Sequence, residues 1–390
     1  MICIAGKNEI AVSALLYLIK RGWRDQILVC PNRSDTGVST WQPSLIRFAK
    51  EFNIPVLPLD QIQEIEDLIF ISLEFDRLVN PQKFRTDYLY NIHFSALPEF
   101  KGMYTSALPI LMGKTISGVT LHEIDSGIDT GPIIGQVIFD LPEDCTARDL
   151  YFLYLSYSKE IFEEYIESLA SSKKPISAPQ SAKGSTYFSK KSINYDNIKI
   201  NTQDTADGIV KQLRALSFRE YQIPKIDDIS IGRWAITGKR SESPIGKLIP
   251  SSDDLFLLPT IDYDLHVWRD HSADWFDWLE RKTNLTTKDL DVSFLDDRDK
   301  DGWTPLIRAA YLGDFRRCQI LLELGADPNK TNLNGTTPLM YACSAPDSER
   351  GRMVSEELLR FGANIESRDR FGKTIFDYHP YLLREAWVGS

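Results

Sequence analysis

The sequence predicts an α/β protein with a mostly parallel sheet and helices on both faces, followed by a small, mainly β domain and an all-α repeat tail. Three observations support this prediction. Apolar runs of strand length alternate with longer amphipathic segments in the first part of the chain. Short β segments follow a stretch rich in Ser, Lys and Pro. A repeated motif occupies the last third.

The alternating region begins with a strand at 2–5, a turn at Gly6 and an amphipathic helix at 9–20. The further predicted strands are 26–30, 54–58, 67–73, 88–93, 117–124 and 133–140, and the further predicted helices are 44–52, 104–113 and 147–169. One glycine stands where a dinucleotide fingerprint needs three, so nicotinamide binding is not indicated. Lys7 and Asn8 follow the first strand, where ligands of such sheets bind, and they either contact a phosphate or are solvated.

Residues 171–184 are predicted to be a linker because they are rich in Ser, Lys and Pro. After them come a short strand-like segment at 187–195, a helix at 205–216 and β segments around 233–237, 246–249 and 255–258. We therefore expect three domains, at 1–184, 185–271 and 272–390.

The last of these domains contains an internal repeat. Gly302-Trp303-Thr304-Pro305-Leu306 recurs 33 residues later as Gly335-Thr336-Thr337-Pro338-Leu339, and each copy leads to a Leu-Leu-x-x-Gly-Ala run. A third start, at Gly372, is displaced by an insertion at 345–351. A period of 33 with a Thr-Pro-Leu start is the ankyrin signature. We predict a stack of ankyrin repeats, with a capping segment near 274–284.

Composition excludes several classes of protein. The net charge of -10 argues against a nucleic-acid partner, since phosphate binding needs clustered Lys and Arg. No apolar run has the length of a transmembrane helix, and the amino terminus is strand-like, so neither a membrane anchor nor a secretory signal is expected. The five cysteines are far apart and form no C-x-x-C pair, which argues against a disulfide framework and a metal site. We expect a reduced, cytoplasmic protein.

The candidate catalytic residues are Asn91, His93 and Asp129. Asn91 and His93 lie two residues apart at the end of a predicted strand, so their side chains project from the same face. Asp129 lies between Gly127 and Gly131, a setting for a tight loop that brings its carboxylate close to other backbone. The set suits acyl transfer, because an amide and a protonated imidazole stabilise an oxyanion and a carboxylate orients the imidazole.

The sequence around these residues resembles the folate-dependent formyltransferase family. The core of that family is Asn, His two residues later, and Asp in an H-x-I-D-x-G-x-D-T-G loop. Here the loop is His122-Glu-Ile-Asp125-Ser-Gly127-Ile-Asp129-Thr-Gly131, and the resemblance covers about the first half of the chain. It implies a Rossmann-like formyltransferase sheet and 10-formyltetrahydrofolate as co-substrate.

Departures from the family pattern narrow the expected substrate. Phe94, Ala96 and Lys101 stand where the family commonly has Pro, Leu and Arg. These variants resemble those of the sugar-nucleotide N-formyltransferases, and with the acidic net charge they count against a tRNA substrate. The trailing ankyrin module favours, by analogy of architecture, formylation of dTDP-3-amino-3,6-dideoxyglucose for O-antigen or another surface polysaccharide.

The resemblance also implies a mechanism. A neutral sugar amine attacks the formyl carbon, and Asn91 and protonated His93 stabilise the oxyanion. Asp129 orients His93 and helps to remove the amine proton.

Further binding residues follow from the same resemblance. The folate candidates are Phe75, Leu78 and Asp125. The sugar-nucleotide candidates are Asn8, Arg77, Lys101, Lys190 and Tyr221. The basic residues would pair with the diphosphate and the tyrosine would stack on thymine. Core packing and solvated surface charge are the alternatives for these side chains.

Trp303 lies at an exposed turn of the first repeat, where a large aromatic side chain costs solubility unless it is covered. It either packs against another domain or chain, or stacks on a second small ligand at an auxiliary site. Ankyrin modules ordinarily present a protein-binding surface. The family resemblance implies a homodimer that forms through the small domain.

Three other functions stay open at this point. They are a 4-amino sugar N-formyltransferase, a formyltetrahydrofolate hydrolase and a non-catalytic ankyrin binding protein. A hydrolase would deliver water to the position of the amine. The intact set of Asn91, His93 and Asp129 favours an enzyme over a binding protein.

Overall fold

The computed structural model describes residues 1–38, 42–171, 174–218, 221–252, 255–270, 295–296, 298, 302–332, 334–344 and 348–378. The chain divides into two compact units. The first consists of Met1–Phe218 and Gln222–Arg269, and the second contains the C-terminal helices. The first two predicted domains therefore belong to one compact unit, and the boundaries at 184 and 271 stay predictions.

The first unit is built on a six-stranded sheet. Its strands are β1 (Ile2–Gly6), β2 (Ile27–Pro31), β3 (Ile69–Leu73), β4 (Leu89–His93), β6 (Ile116–Glu123) and β7 (Ile133–Asp140). Their spatial order is β2-β1-β3-β4-β6-β7. The first four are parallel, and β6 and β7 are antiparallel to their neighbours. The prediction of a mostly parallel α/β sheet is confirmed.

Helices cover both faces of this sheet. They are α1 (Asn8–Lys20), α2 (Leu45–Glu51), α3 (Leu59–Gln63), α4 (Leu108–Leu111) and α5 (Ala147–Leu169). In β1, Ile2 and Ile4 belong to the core that includes α1, α2 and α5, whereas Cys3 and Ala5 belong to a second core with Ile62 of α3. Because both faces of β1 are buried, the strand is apolar throughout, as expected for parallel sheets.

Helix α5 begins and ends where the sequence predicts. The side chain of Thr146 accepts a hydrogen bond from the backbone N–H of Asp149, and the Asp149 carboxylate accepts one from the backbone N–H of Thr146. Such a capping box satisfies two amide groups that the first turn leaves unpaired. The buried Tyr154 of α5 lies 2.7 Å from the Ser117 hydroxyl and donates to the Thr105 carbonyl at 2.9 Å. The helix is thus joined to β6.

Several predicted elements are shorter in the structure. Segment 54–58 forms only one bridge, between Val56 and Val29, because its prolines lack a donor N–H. The helix predicted at 104–113 is reduced to α4, since Tyr104 has a φ of 63° and cannot begin a helical turn. The strand predicted at 187–195 consists of β8 (Tyr187–Phe188) alone.

The first unit also contains a five-stranded antiparallel sheet, packed with one helix, α6 (Ala206–Leu216). Its strands are β9 (Lys225–Ile226), β10 (Ile229–Ile236), β11 (Ile249–Pro250), β12 (Leu255–Leu258) and β13 (Leu265–Arg269), in the order β11-β12-β13-β10-β9. The sequence did not predict β13. Only Leu265 and Val267 of that strand are buried, so its apolar signal is short.

Residues 174–188, which we call the return segment, are not a free linker in their described part. Strand β5 (Lys101–Gly102) pairs in parallel with β8, and Ala178 bridges Ile133 of β7. The Ser177 hydroxyl donates to the Glu123 carboxylate at 2.5 Å. The prediction of a linker was wrong here, because composition does not reveal hydrogen bonds to distant strands.

The second unit contains the predicted ankyrin helices. They are α7 (Pro305–Tyr311), α8 (Phe315–Glu323), α9 (Pro338–Cys343), α10 (Ser348–Arg360) and α11 (Ile375–Tyr378). Thr304 and Thr337 cap the first helix of their repeats, because their hydroxyls accept from the amides of Ile307 and Met340. The predicted capping segment at 274–284 lies outside the described residues.

Other sequence-based expectations concern membranes, metals and thiols. Within the described ranges, none of the helices combines the length and apolarity needed to cross a bilayer. The same part of the chain holds no group of three or more His, Cys, Asp or Glu side chains arranged for a metal ion. Each of the five cysteines is a free thiol.

We predict that Thr337→Ala lowers the unfolding free energy of the ankyrin module by about 1 kcal/mol, the usual loss for a threonine N-cap. The measurement is urea unfolding of the whole protein followed by tryptophan fluorescence. Thr336→Ala changes the neighbouring residue without removing the cap and serves as the control. Equal stability of Thr337→Ala and wild type would contradict the capping role.

Candidate active site

Two of the candidate residues lie at the end of β4. This strand lies between β3 and β6, so that Asn91 is opposite His122 and His93 is opposite Thr120. His93 is buried and Asn91 is half-buried. Their side chains share one face, because successive residues of a strand point in opposite directions. The same face receives the loop that carries Asp129.

Asp129 has a φ of 52°, a left-handed conformation that is uncommon outside glycine. Its carboxylate is the meeting point of four groups. Oδ2 lies 2.8 Å from the Gly102 backbone nitrogen and 3.5 Å from His93 Nδ1. Oδ1 lies 3.3 Å from Asn91 Nδ2 and 3.6 Å from His122 Nε2. The structure therefore brings the three candidate residues together, and their catalytic role stays a prediction.

The environment of Asp129 stabilises its charged form. Burial alone would raise the pKa of this carboxyl. The charge of His93 opposes that rise, together with the hydrogen bond from the Gly102 amide. The net result is a pKa well below the usual range of an aspartate. Asp129 is therefore an anion at every working pH.

The imidazole of His93 has an acceptor at each nitrogen. Nε2 lies 2.9 Å from the Phe100 carbonyl oxygen, and Nδ1 faces the Asp129 carboxylate. A carbonyl oxygen can only accept, so Nε2 carries a hydrogen. A second hydrogen on Nδ1 would turn the contact with Asp129 into an ion pair. Both ring nitrogens therefore face acceptors, and the protonated form of His93 stays a prediction.

His122 is a site residue that the sequence analysis quoted but did not assign. Its Nδ1 lies 2.7 Å from the Glu123 carbonyl oxygen, which places a hydrogen on Nδ1 and leaves Nε2 as an acceptor. Asn91 Nδ2 lies 3.1 Å from that Nε2. His122 therefore orients the Asn91 amide. The contact depends on antiparallel pairing between β4 and β6, and spacing along the chain does not reveal that pairing.

Gln180, in the return segment, holds the backbone around Asp129. Its Nε2 donates to the Asp129 carbonyl at 2.8 Å and to the Gly131 carbonyl at 2.7 Å. Both amide hydrogens are thereby used by carbonyl groups of the loop that carries Asp129. Gln180 is a positioning residue, because it acts on the backbone that aims the Asp129 carboxylate. The prediction of a linker at 171–184 concealed this role.

The predicted folate residues differ in their surroundings. Phe75 packs edge-on against Phe70, with ring centroids 5.9 Å apart, and lies under the Arg77 guanidinium at 4.4 Å. Leu78 is 81% exposed, so it is not a core residue. Asp125 Oδ1 accepts from the Gly127 amide and the Thr130 hydroxyl, and so shapes the loop that leads to Asp129. Their predicted contact with folate is not tested by the structure.

The predicted sugar-nucleotide residues do not form a single group of free cations. Arg77 donates to the Pro31 carbonyl at 2.7 Å and is close to Asp76. Lys101 is buried and donates to the Ser185 hydroxyl at 3.1 Å. These contacts connect the sheet edge to neighbouring loops, which weakens the case for both residues as diphosphate ligands.

The three remaining candidates for sugar-nucleotide binding differ in their solvent exposure. Lys190 is exposed, and its carbonyl accepts from the Tyr104 hydroxyl. Asn8 is buried, and its Nδ2 lies 3.3 Å from Glu74 Oε2. Tyr221 is 60% exposed. Binding roles for all three stay predictions.

Trp303 lies in an aromatic cluster within the second unit. Its ring centroid is 4.6 Å from that of Tyr341 and 5.2 Å from that of Tyr311. This arrangement supports packing within the ankyrin module. Its predicted auxiliary role, in binding a second ligand or a partner protein, stays a prediction.

We predict that Gln180→Ala lowers kcat about tenfold with little change in either KM, because losing two hydrogen bonds misaligns Asp129 without removing a substrate contact. The readout is tetrahydrofolate release under steady-state conditions. Gln82→Ala, at an exposed position, is the matched control. A wild-type kcat in Gln180→Ala, or a loss confined to thermal stability, would contradict the positioning role.

Comparison with known proteins identifies two families in the chain. Residues 73–166 match the formyl transferase family, and residues 282–369 match ankyrin repeats. An N-formyltransferase structure from Helicobacter canadensis, in complex with folinic acid and dTDP-3-aminofucose, is 42% identical, and the match covers 69% of this chain and 99% of that one with a TM-score of 0.64.

Two further relatives belong to different branches. The sugar 3-N-formyltransferase WlaRD, solved with dTDP and 5-N-formyltetrahydrofolate, is 42% identical over 69% of this chain and 97% of its own, with a TM-score of 0.63. The methionyl-tRNA formyltransferase of Rickettsia bellii is 28% identical over 230 residues, which are 55% of this chain and 74% of that protein.

The fold and the site together define an N-formyltransferase that carries an ankyrin module. The chain belongs to the sugar N-formyltransferase family, with which it shares 42% identity over almost the whole length of two members.

Proposed function

We propose that this protein transfers the formyl group of 10-formyltetrahydrofolate to the amine of a dTDP-linked amino-dideoxy sugar, with 3-amino-3,6-dideoxyglucose favoured. The observation that carries the proposal is the convergence of Asn91 and His93 on the carboxylate of Asp129. The folate compounds and the dTDP ligands named for the two 42% identical structures support the donor and the nucleotide. A place in O-antigen or other surface polysaccharide synthesis, in the cytoplasm, is part of this proposal.

In the proposed reaction the neutral amine attacks the formyl carbon. A C–N bond forms to the sugar, the bond from the formyl carbon to N10 of the folate breaks, and tetrahydrofolate leaves with a proton. The intermediate carries a negative oxygen that needs donors. The N–H groups of Asn91 and His93 are suitable, because the two side chains project from one face of β4.

The low pKa of Asp129 bears differently on its two expected roles, the orientation of His93 and the removal of the amine proton. A carboxylate held well below its usual pKa is a weak base, so it is poorly suited to accept the amine proton. The same charge stabilises the imidazolium of His93 and fixes its orientation. We therefore assign to Asp129 mainly the orientation of His93.

We predict that Asn91→Ala lowers kcat by about 100- to 1,000-fold, the usual effect of removing one oxyanion donor. His93→Ala is expected to cost at least as much, because it removes the cationic donor. The measurement is tetrahydrofolate release from 10-formyltetrahydrofolate, in parallel assays with dTDP-linked 3-amino and 4-amino sugars. Gln82→Ala, at an exposed position, is the control and should retain wild-type activity.

The outcomes of this assay separate the functions left open by the sequence. Turnover with the 3-amino sugar that depends on His93 supports the proposal. Preference for the 4-amino sugar would identify the protein as a 4-amino sugar N-formyltransferase. Release of tetrahydrofolate without sugar would indicate a hydrolase, and folded but inactive protein would indicate a binding protein.

We also propose that the protein is a homodimer formed through the small β sheet. The outer face of this sheet carries Trp268, with the Arg233 guanidinium 4.1 Å from its ring centroid and His266 beside it. Aromatic and Arg side chains of this kind are enriched at protein interfaces.

We predict that Trp268→Glu yields monomers in light-scattering measurements at a concentration where wild type is dimeric. A monomeric wild-type protein would contradict the proposal.

A further inference from the structure

The crevice between the carboxyl ends of β1 and β3 contains polar groups that the catalytic set does not use. Strand β1 pairs with β2 on one side and with β3 on the other, so the strand order reverses at this point. Ligands of open α/β sheets bind in the crevice outside such a reversal. Asn8 follows β1 and Glu74 follows β3, one at each side of the crevice.

Both residues have strained backbone. The φ of Asn8 is 62° and that of Glu74 is 53°, in the left-handed region that non-glycine residues rarely adopt. The strand ends are also closely packed, since a Cβ added to Gly6 would lie 1.8 Å from the Leu73 carbonyl oxygen. Strained residues persist where the surrounding structure holds them, and they cluster at ligand sites.

One oxygen of the Glu74 carboxylate is anchored and the other is available. Oε2 accepts from the Tyr151 hydroxyl at 3.0 Å and from Asn8 Nδ2 at 3.3 Å. For Oε1 no hydrogen-bond partner occurs among the described residues. The side chain is half-buried. The carboxylate is therefore oriented by two donors and presents its second oxygen as an acceptor.

The surroundings of Glu74 differ from those of Asp129. Burial raises the pKa of Glu74, although the charge of Lys7 and the hydrogen bonds from Tyr151 and Asn8 oppose the rise. A carboxylate that has lost hydration in this way gains from a donor supplied by a ligand.

The crevice adjoins the catalytic residues. Leu73 of β3 pairs with Ile92 of β4. Glu74 is the residue after Leu73 and His93 is the residue after Ile92, so the two residues occupy equivalent positions on adjacent strands. Adjacent strands lie about 4.8 Å apart. Tyr151, which donates to Glu74, also contacts Phe94, the residue after His93, with ring centroids 6.0 Å apart. Glu74 and His93 therefore lie at the carboxyl ends of neighbouring strands, at the same edge of the sheet.

We propose that Glu74 is a specificity-determining residue that accepts a hydrogen bond from a sugar hydroxyl on a carbon next to the amine-bearing carbon. Asn8 and Tyr151 hold the carboxylate in position. This inference rests on the proposed function, because it takes an amino sugar as substrate. A site that hydrogen-bonds a substrate hydroxyl discriminates strongly against an analogue that lacks it.

The test uses the full-length protein as wild type, Glu74→Gln and Glu74→Ala, with Glu66→Gln as the control. Glu66 is a control because it carries the same carboxylate in an exposed position, where it pairs with Arg85 at 3.8 Å. The substrates are the dTDP-3-amino sugar and two analogues, each lacking one of the two hydroxyls that flank the amine. The quantities measured are kcat/KM for each sugar and KM for 10-formyltetrahydrofolate.

We expect one analogue to lose about 10- to 100-fold in kcat/KM with wild type, the effect of one hydrogen bond to a charged group. With Glu74→Ala the parent sugar should fall by a similar factor and that analogue should show no further loss. Glu74→Gln should give an intermediate loss, and the KM for folate should stay unchanged in both variants.

Three results would overturn the inference. Wild-type kcat/KM for the parent sugar in both variants would remove any role for Glu74 in binding. Equal losses for the parent sugar and both analogues, or a raised KM for folate, would indicate a structural role. Wild-type protein that is inactive with every amino sugar would overturn the proposed function itself, which distinguishes that failure from the other two.

Discussion

The structure around the site depends on the compensation of one buried charge. An unpaired carboxylate in the position of Asp129 would cost several kcal/mol, so its partners must be in place when the chain folds. These partners come from distant parts of the sequence: Asn91 and His93 from β4 and the Gly102 amide from β5. Gln180 then holds the backbone of the same loop from the return segment. Two sheets and the return segment therefore all contact one residue, Asp129.

The two carboxylates at this edge of the sheet have opposite environments. Asp129 receives charge and hydrogen bonds that outweigh its burial, so its pKa falls, whereas burial dominates at Glu74 and its pKa rises. Paired carboxylates whose surroundings separate their pKa values commonly have separate tasks. In the proposed reaction the first orients His93. In the proposed recognition of the sugar the second accepts a hydrogen bond.

Local patterns predicted local structure well. Helix α5 has the predicted ends, and a capping box formed by Thr146 and Asp149 defines its first turn. The ankyrin helices were predicted because Thr-Pro starts repeat at a fixed interval, and Thr304 and Thr337 both act as caps. Prediction failed where backbone conformation overrode composition. Tyr104, with its positive φ, shortened one helix, and β13 was missed because its buried residues are few.

The sequence by itself determined the alternating sheet, the repeat tail and the three residues that meet at the site. It could do so because periodicity, capping and motif spacing are short-range properties of the chain. Only the tertiary structure decided that His122 orients Asn91, that Gln180 supports Asp129 and that Glu74 faces the crevice. Each of these contacts joins residues 31 to 77 positions apart, through strand pairing or packing. Their geometry depends on the assembled sheet, so the spacing of the residues along the chain does not predict it.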